Sequence, residues 1–586
     1  MSSVLRDTPL GQFIRFVTHN RVLQYPEERA DFRLPDEWIS VAEPRKSEYF
    51  PSSTCSSDAS TLCTNDERVQ VEKGDEISCP SDVSPAGTLS NEKRDDIERA
   101  IEKVKSIPIT PRRTLDGTIL VGWYTTDDPE NPRNWTKLRR VLVAFILCLY
   151  TFVVYTSSAI YINSEPGVAK EFGVNSTEAS LGLALFVLGY GVGPLLWSPL
   201  SELPSIGRNP VYFWTMLAFV ILSIPTALVT NYPGLMVLRF LQGFFGSPCL
   251  ANGGASLGDL YNDMHLPYAL IAWVSAGYCG PALGPLLSGF SVPVLGWRWS
   301  LLEILFAGSA ILPVMFAFLP ETSPATLLLQ RAQRLRQLTG NAAFMSQSEI
   351  DQRGMSSRAV FVDALIKPLE ITIKDPAILF VQIYTAVVYA TYYSFFESFP
   401  LVYPVYYGMT VGQIGLVFLS ILIACLIGAV IYASYIHFYM NPRIRAVGEP
   451  VPETRLIPAL AAAFGPTLGL FVFAWTARPD IHWIAPTAGI TLYAAAVFVV
   501  FQCIFVYVAL SYPKYAASLF AGNDFFRSAL AFAAVLFAPP LFEDLGVARG
   551  NSLLGGLSVV GIIGIWTLYL FGARLRSMSK FAISEE

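Results

Sequence analysis

Residues 191–214 read GVGPLLWSPLSELPSIGRNPVYFW. An apolar run breaks into prolines, a serine, Glu202, Gly207 and Arg208, and apolar character resumes at Val211. Charges this close to two hydrophobic segments mark the place where one helix leaves a bilayer and the next enters it. A spanning helix needs about 20 apolar residues to cover about 30 Å of hydrocarbon. From Val141 to Phe571 such runs recur along the chain.

The bulk numbers agree. Of 586 residues 53% are hydrophobic and 15% charged, with a mean hydropathy of +0.44; soluble domains run nearer a quarter charged. An all-α membrane protein is expected. Its spans fall at roughly 139–161, 179–199, 210–230, 234–257, 268–291, 298–319, 376–398, 412–436, 456–476, 484–510, 515–538 and 551–572, the tenth and eleventh separated only by SYPKY. The gap from Pro320 to Asp375 divides them six and six. The expected organisation is an N-terminal tail over 1–137, a six-helix bundle over 138–320, a central loop over 321–375, a second bundle over 376–572 and a short tail over 573–586.

Orientation follows the Lys/Arg distribution. Arg133, Lys137, Arg139, Arg140 and Arg208 fall on one side, with Arg331, Arg334, Arg336, Lys367, Lys374, Arg443, Arg445, Arg455, Lys514, Arg574, Arg576 and Lys580; Lys170, Arg298, Arg478 and Arg549 fall on the other. Both termini are therefore expected in the cytoplasm. Asn175 in NST then faces outward as a candidate glycosylation acceptor, and Asn134 in NWT faces inward.

The first 137 residues are polar, with no signal peptide. TPLGQFIRFVTHN, from Thr8, offers a helix capped by Thr8 with Pro9 in its first turn. Leu10, Phe13, Ile14 and Val17 share one face, which suits either the membrane surface or docking on the protein itself. The Ser-, Asp- and Glu-rich stretch from Pro51 to Glu98 is expected to be disordered. The eight cysteines read as free thiols.

No G-x-x-x-x-G-K-[ST] occurs, and the four histidines form no metal or triad pattern, so an enzyme is not expected. No cofactor, metal or nucleic-acid partner is expected either. Buried charge carries the remaining chemistry. Arg239 lies about five residues into span 4, in LMVLRFLQGFFGS. A charge there costs at least about 2.5 kcal/mol on insertion scales, so it should face a cavity or partner, or snorkel to the interface. Glu303 in WSLLEILFAG and Glu397 in YYSFFESFPLV are carboxylates in apolar surroundings and candidates for proton binding. Asp524 and Arg527, three apart on one helix face, suit an internal pair. Tyr389, Tyr392 and Phe396 are candidate aromatic contacts for a ligand.

Taken together, three stretches resemble the major facilitator superfamily, and more narrowly the fungal twelve-span drug:proton antiporters. The loop pattern falls on Gly193, Glu202, Gly207 and Arg208. Glutamate stands where most of the superfamily has aspartate, and LPSI lengthens the gap before Gly-Arg. The span-4 motif falls on Arg239, Gln242, Gly243 and Gly246. The antiporter signature of span 5 falls on Gly277, Gly280, Pro281, Gly284 and Pro285, in WVSAGYCGPALGPLLSGF. DDPENPRNW, WRW at Trp297, PETSPATLLLQRA, FESFPLVY and SLFAGNDFFRSALAF carry the narrower likeness, which covers about Asp127 to Phe571.

The resemblance implies two six-helix bundles and proton-driven export of small amphipathic or aromatic compounds by alternating access. It implies a plasma-membrane monomer with no cofactor, driven by the proton gradient. Glu202 and Arg208 would clamp helices at the cytoplasmic side, Arg239 and a carboxylate would couple protons, and Gln242 would contact substrate. The span-5 signature would make a tight, kinked contact between the bundles. The alternatives are a proton-coupled nutrient importer on the same fold and a non-transporting sensor. Against the importer stands the span-5 signature.

Overall fold

The computed structural model describes residues 5–42, 106–114, 116–353, 362, 366, 370–448, 451–512 and 516–578. Lys137–Ala159, Ser176–Glu202, Arg208–Leu228, Tyr232–Gly246 continued by Pro248–Leu260, Leu266–Leu295 and Arg298–Phe318 form spans 1 to 6. Pro376–Tyr407, Val411–Tyr435, Ile457–Ala462 continued by Phe464–Thr476, and Ile484–Ser511 form spans 7 to 10. Ala516–Met578 is one helical run broken at Gly546, whose φ of 77° favours glycine. Asn523 donates to Gln382 and Thr385 of span 7, while Gly561 and Gly564 lie against Tyr384 and Phe380 of the same stretch. Positions far apart in sequence that meet the same turns of one helix require the run to double back. Residues 516–545 and 547–578 are thus spans 11 and 12, and both ends of the helical array lie on one side, called here the termini side.

Span 7 outruns its expected end by two turns. Pro400 and Pro404, which lack a backbone N–H, lie inside the helix. Prolines are tolerated in spanning helices because neighbouring helices satisfy the freed backbone groups. Pro281, Pro285 and Pro293 are accommodated in span 5 in the same way.

Spans 1–6 pack on one another, chiefly as 2 with 4, 1 with 5 and 3 with 6, and spans 7–12 do likewise; pairs 2 with 11 and 5 with 8 form the seam between the sets. Small residues permit this closeness. A Cβ on Gly189 would sit 2.2 Å from the Phe240 carbonyl oxygen, and one on Gly415 would sit 2.9 Å from Leu286 Cα across the seam.

On the termini side the parts of the tail that are described fold back. Ile119–Leu120 pairs in parallel with Phe344–Met345 of the central loop. Trp38, Ile119, Val121, Ala332, Leu335 and Phe344 form a second small core. Arg331, 1% exposed at its side chain, holds Glu27, Asp128 and Glu130 at 3.3, 2.7 and 2.8 Å. Burial raises the Glu130 carboxyl above its ordinary value against the pull of Arg331, and Glu27 beside it raises it further. Apolar residues scattered through a polar tail thus find a core that the tail alone cannot build. The segment 51–98, expected to be disordered, lies outside the described residues.

Thr8 caps the helix Pro9–Val17 as expected. Its buried side is Gly11 and Arg15, docked toward spans 3 and 6. Phe13 and Val17 remain exposed, with Phe16 at 80%, near the outward-facing Trp214. Docking and an outward apolar face belong to different sides of the same helix.

Candidate functional site

Between the two sets lies a narrow cavity lined by residues of both. Spans 1, 4 and 5 contribute Thr151, Tyr155, Leu250, Trp273, Gly277 and Tyr278; spans 7, 10 and 11 contribute Tyr389, Phe501, Phe505, Asn523, Asp524 and Arg527. Tyr389, a candidate ligand contact from the sequence, lines this cavity, as does Gly277 of the span-5 signature. Tyr392 and Pro281 line a smaller adjoining void, and Tyr392 packs beside Tyr278 with centroids 6.1 Å apart. The side chain of Phe396 lies outside the described residues.

Above the cavity, toward the far side, hydroxyls join the halves. Tyr190 of span 2 meets Tyr389 at 2.6 Å and Tyr393 at 2.9 Å, and Ser158 of span 1 meets Tyr393 at 3.2 Å. At the cavity wall, Asp524 and Arg527 form an ion pair through Oδ1, and the guanidinium also donates to Tyr155 at 3.0 Å and lies over Tyr389. Read from sequence as an internal structural pair, these two residues also line the cavity.

Arg239 does not snorkel. It is fully buried, donating to the Gly182 carbonyl at 3.2 Å, the Ser157 carbonyl at 3.0 Å and Gln242 Oε1 at 3.2 Å, with its guanidinium between the Tyr161 and Phe186 rings. Gln242 spends its amide on Ser223 at 2.7 Å. It belongs to the packing of spans 3 and 4 and is not among the residues lining the cavity described above. The carboxylate nearest Arg239's field is Glu165, at the far-side end of span 1. Glu165 accepts from Ser180 at 2.8 Å, and its other oxygen is buried without a hydrogen bond. Glu397 of span 7 stands within electrostatic reach of it from the other half, also with one buried, unbonded oxygen.

Glu303 is elsewhere. Half-buried on span 6 beside Ser291 and Trp299, it lines neither void, and Arg298 pairs instead with Glu171 at 2.5 Å. Its helix packs chiefly on spans 1, 3 and 5, so its place in an apolar run reflects the outer wall of the bundle.

The clamp at the termini side also differs from expectation. Glu202 is exposed, and among the described residues it makes no ion pair. Arg208 pairs with Asp259, at the end of span 4, at 3.0 Å. Glu321, just past span 6, accepts from the backbone N–H groups of Arg208 and Asn209 at 3.2 and 3.1 Å. Burial raises the Glu321 carboxyl above its ordinary value despite those donors and Arg208. Gly207 is needed twice over: its φ is 82°, and a Cβ would lie 2.4 Å from Glu321 Oε2. Glu202 ends the span-2 helix just before the turn, within electrostatic reach of Arg208, while Asp259 of span 4 makes the ion pair.

The span-5 glycines mark a contact, though not with the other half. A Cβ on Gly280 would fall 2.7 Å from Tyr155 Cβ and 2.8 Å from the Thr156 nitrogen, and one on Gly284 would fall 2.9 Å from the Ile160 nitrogen. Their partner is span 1, and the opposite face of span 5 meets span 8. Pro285 keeps its carbonyl available to Asn163, which donates at 2.8 Å. We expect Gly280→Val to lower stability by about 1–3 kcal/mol, the usual range for overpacking. Gly277→Ala, whose Cβ would meet only the Tyr155 ring at 3.3 Å, should cost far less. Thermal unfolding of the two purified variants compares them.

Asn175 is exposed and caps span 2, accepting from the Glu178 backbone at 2.7 Å. Sequence reasoning missed Glu165, Asp259, Tyr155 and Tyr190, and quoted Glu321 only within a longer phrase. A charged residue within a turn of an apolar run's end was the available signal for Glu165 and Asp259. The tyrosines gave none.

Among the described residues, twelve long apolar helices in two sets of six surround a central cavity. Residues 147–535 match the family model described as Major Facilitator Superfamily, and the chain belongs to that superfamily as a secondary transporter. It is 50% identical over 472 residues to the MFS-type transporter pyvG of Aspergillus violaceofuscus, covering 80% of this chain and 87% of that one. It is 35% identical over 593 residues to the cycloheximide resistance protein of Candida maltosa, covering 99% and 100%. The partially occluded, inward-open xylose transporter XylE of E. coli matches with a TM-score of 0.51 at 12% identity, over 74% of this chain and 99% of that chain, a likeness of fold.

Proposed function

We propose that the chain exports small amphipathic or aromatic compounds in exchange for protons, as a monomer in the plasma membrane with both termini in the cytoplasm. The two six-helix sets act as the moving bodies, with boundaries close to 138–320 and 376–572. The observation that carries this reading is the cavity itself: aromatic walls from both halves, a hydroxyl latch on one side, and a buried Arg239–Glu165–Glu397 group beside it. Rocking the halves breaks the tyrosine latch and exposes the cavity to the far side. The Lys/Arg excess of the termini side supports its cytoplasmic placement, and the name of the Candida maltosa relative supports resistance by export. Glu202 would act from the exposed turn as a contact to the second half in another state, and Asn175 would accept a glycan on the far side.

One proton entering down about 100 mV contributes about 2.3 kcal/mol, enough for a roughly 50-fold concentration ratio of a neutral compound. Inverted vesicles test the direction. Acidifying the lumen should drive accumulation of an aromatic dye, and collapsing the gradient with an uncoupler should abolish it. Accumulation only in right-side-out vesicles would establish an importer instead.

A further inference from the structure

The tail helix Pro9–Val17 is fastened on one side and open on the other. Arg15, its only charged residue, is buried and donates to Glu28 at 2.6 and 2.8 Å. Just before the helix, the Asp7 carbonyl accepts from the backbone N–H of Glu321 at 2.9 Å. The Glu321 carboxylate in turn holds the first backbone N–H groups of span 3. These bonds fix the helix at the level where spans 3 and 6 leave the bilayer on the termini side. The open side carries Phe13, Phe16 and Val17, exposed by 58, 80 and 59%. Phe13 flanks one groove together with Phe213 and Trp214 of span 3 and Phe316 of span 6. Trp214 is 64% exposed and lies six residues into its span, about 9 Å along the axis. An outward tryptophan at that depth belongs to the interfacial belt of a bilayer.

We propose that Phe13, Phe16 and Val17 insert into the acyl boundary of the termini-side leaflet, which makes the tail helix an interfacial membrane anchor. Three large apolar side chains at one level of the membrane edge gain by leaving water, and the face they form continues the lipid-facing surface of Trp214 with no charged residue of the helix on it. Interfacial helices divide into an apolar face in lipid and a polar face away from it; here the side away from lipid is locked onto the protein. A soluble partner could reach Phe13 only by displacing lipid from Trp214. The stretch from Pro51 to Glu98 offers no apolar run to cover the face instead. Because the helix packs on spans 3 and 6, the anchor ties the small core of tail and central loop to the first six-helix set. This goes beyond the export reading and is independent of the direction of transport.

The test uses the full-length protein in nanodiscs of phosphatidylcholine and phosphatidylglycerol, with the photoreactive residue benzoylphenylalanine placed at one position at a time. At Phe16 it exchanges one exposed aromatic ring for another and leaves the docked side untouched. After illumination, intact-mass spectrometry should find phospholipid adducts at position 16 at least tenfold more abundant than at Asn20, which is exposed beyond the end of the helix, and within threefold of those at Trp214. Covalent dimers from position 16 would assign the face to a second copy, adducts to another segment of the chain would assign it to the tail, and lipid adducts at Trp214 alone would leave it in water; each overturns the proposal. A second measurement reads the anchoring. Phe13→Gln/Phe16→Gln should speed amide hydrogen exchange across the tail helix at least tenfold in nanodiscs and leave the paired strands Ile119–Leu120 and Phe344–Met345 unchanged. Unaltered exchange in the helix would show that docking alone holds it and would overturn the anchor.

Discussion

Arg239→Ala should abolish proton-driven transport, lowering initial uptake in inverted vesicles by more than tenfold, and should also destabilise the protein by about 3–5 kcal/mol. The two effects have separate origins. Losing the side chain leaves the Gly182 and Ser157 carbonyls without their donor, each costing about 1–3 kcal/mol when buried, and opens a void between Tyr161 and Phe186. It also removes the positive charge that faces Glu165. Arg239→Lys keeps the charge but cannot reach three acceptors at once. That variant should recover much of the coupling and little of the stability. Measuring unfolding temperature and uptake on the same preparations separates the effects. Wild-type uptake by a folded Arg239→Ala protein would remove the residue from the coupling mechanism.

Glu165→Gln together with Glu397→Gln should leave binding in the central cavity intact and cut pH-driven uptake at least tenfold. The carboxyls belong to opposite halves and lie within electrostatic reach of each other. With both ionised, like charges oppose closure between the halves; one proton between them removes the repulsion and allows the halves to approach. Protonation therefore favours the latched arrangement and proton release favours opening. Two glutamines hold the neutral condition at every pH, so the double variant should respond to lumenal acidification no more than an uncoupled membrane does. Glu303→Gln, distant from the seam, serves as the control and should retain wild-type pH dependence. If instead Glu303→Gln is the variant that loses it, the coupling carboxylate is on the outer wall and the pair at the seam is structural.

Much of the architecture was legible in the chain because a bilayer imposes a local rule. Span 3, expected at 210–230 and found at Arg208–Leu228, needs only its own apolar length to be read. The tail shows where such a rule fails: Trp38 and Ile119 lie in short apolar patches of a polar tail and become a core only when the central loop brings Leu335 and Phe344 to them. The site divides in the same way. Arg239 announced itself, since an arginine inside an apolar run must be satisfied somewhere, and Gly280 and Gly284 announced a close approach. Neither pattern says to what, and the glycines turned out to face span 1.

From the amino-acid order alone come the number of crossings, their division six and six, the buried arginine and the small-residue face of span 5. These depend on interactions between each helix and its surroundings, and periodicity and composition report those directly. Only the packed molecule decided that Asp259 makes the ion pair with Arg208, that Gln242 bonds to Ser223, and that Glu165 and Glu397 come within electrostatic reach of each other. Each of those pairings joins residues brought together by the rotation of one helix about its axis against another. That angle is set by the whole bundle's interlocking surfaces, which no single segment records.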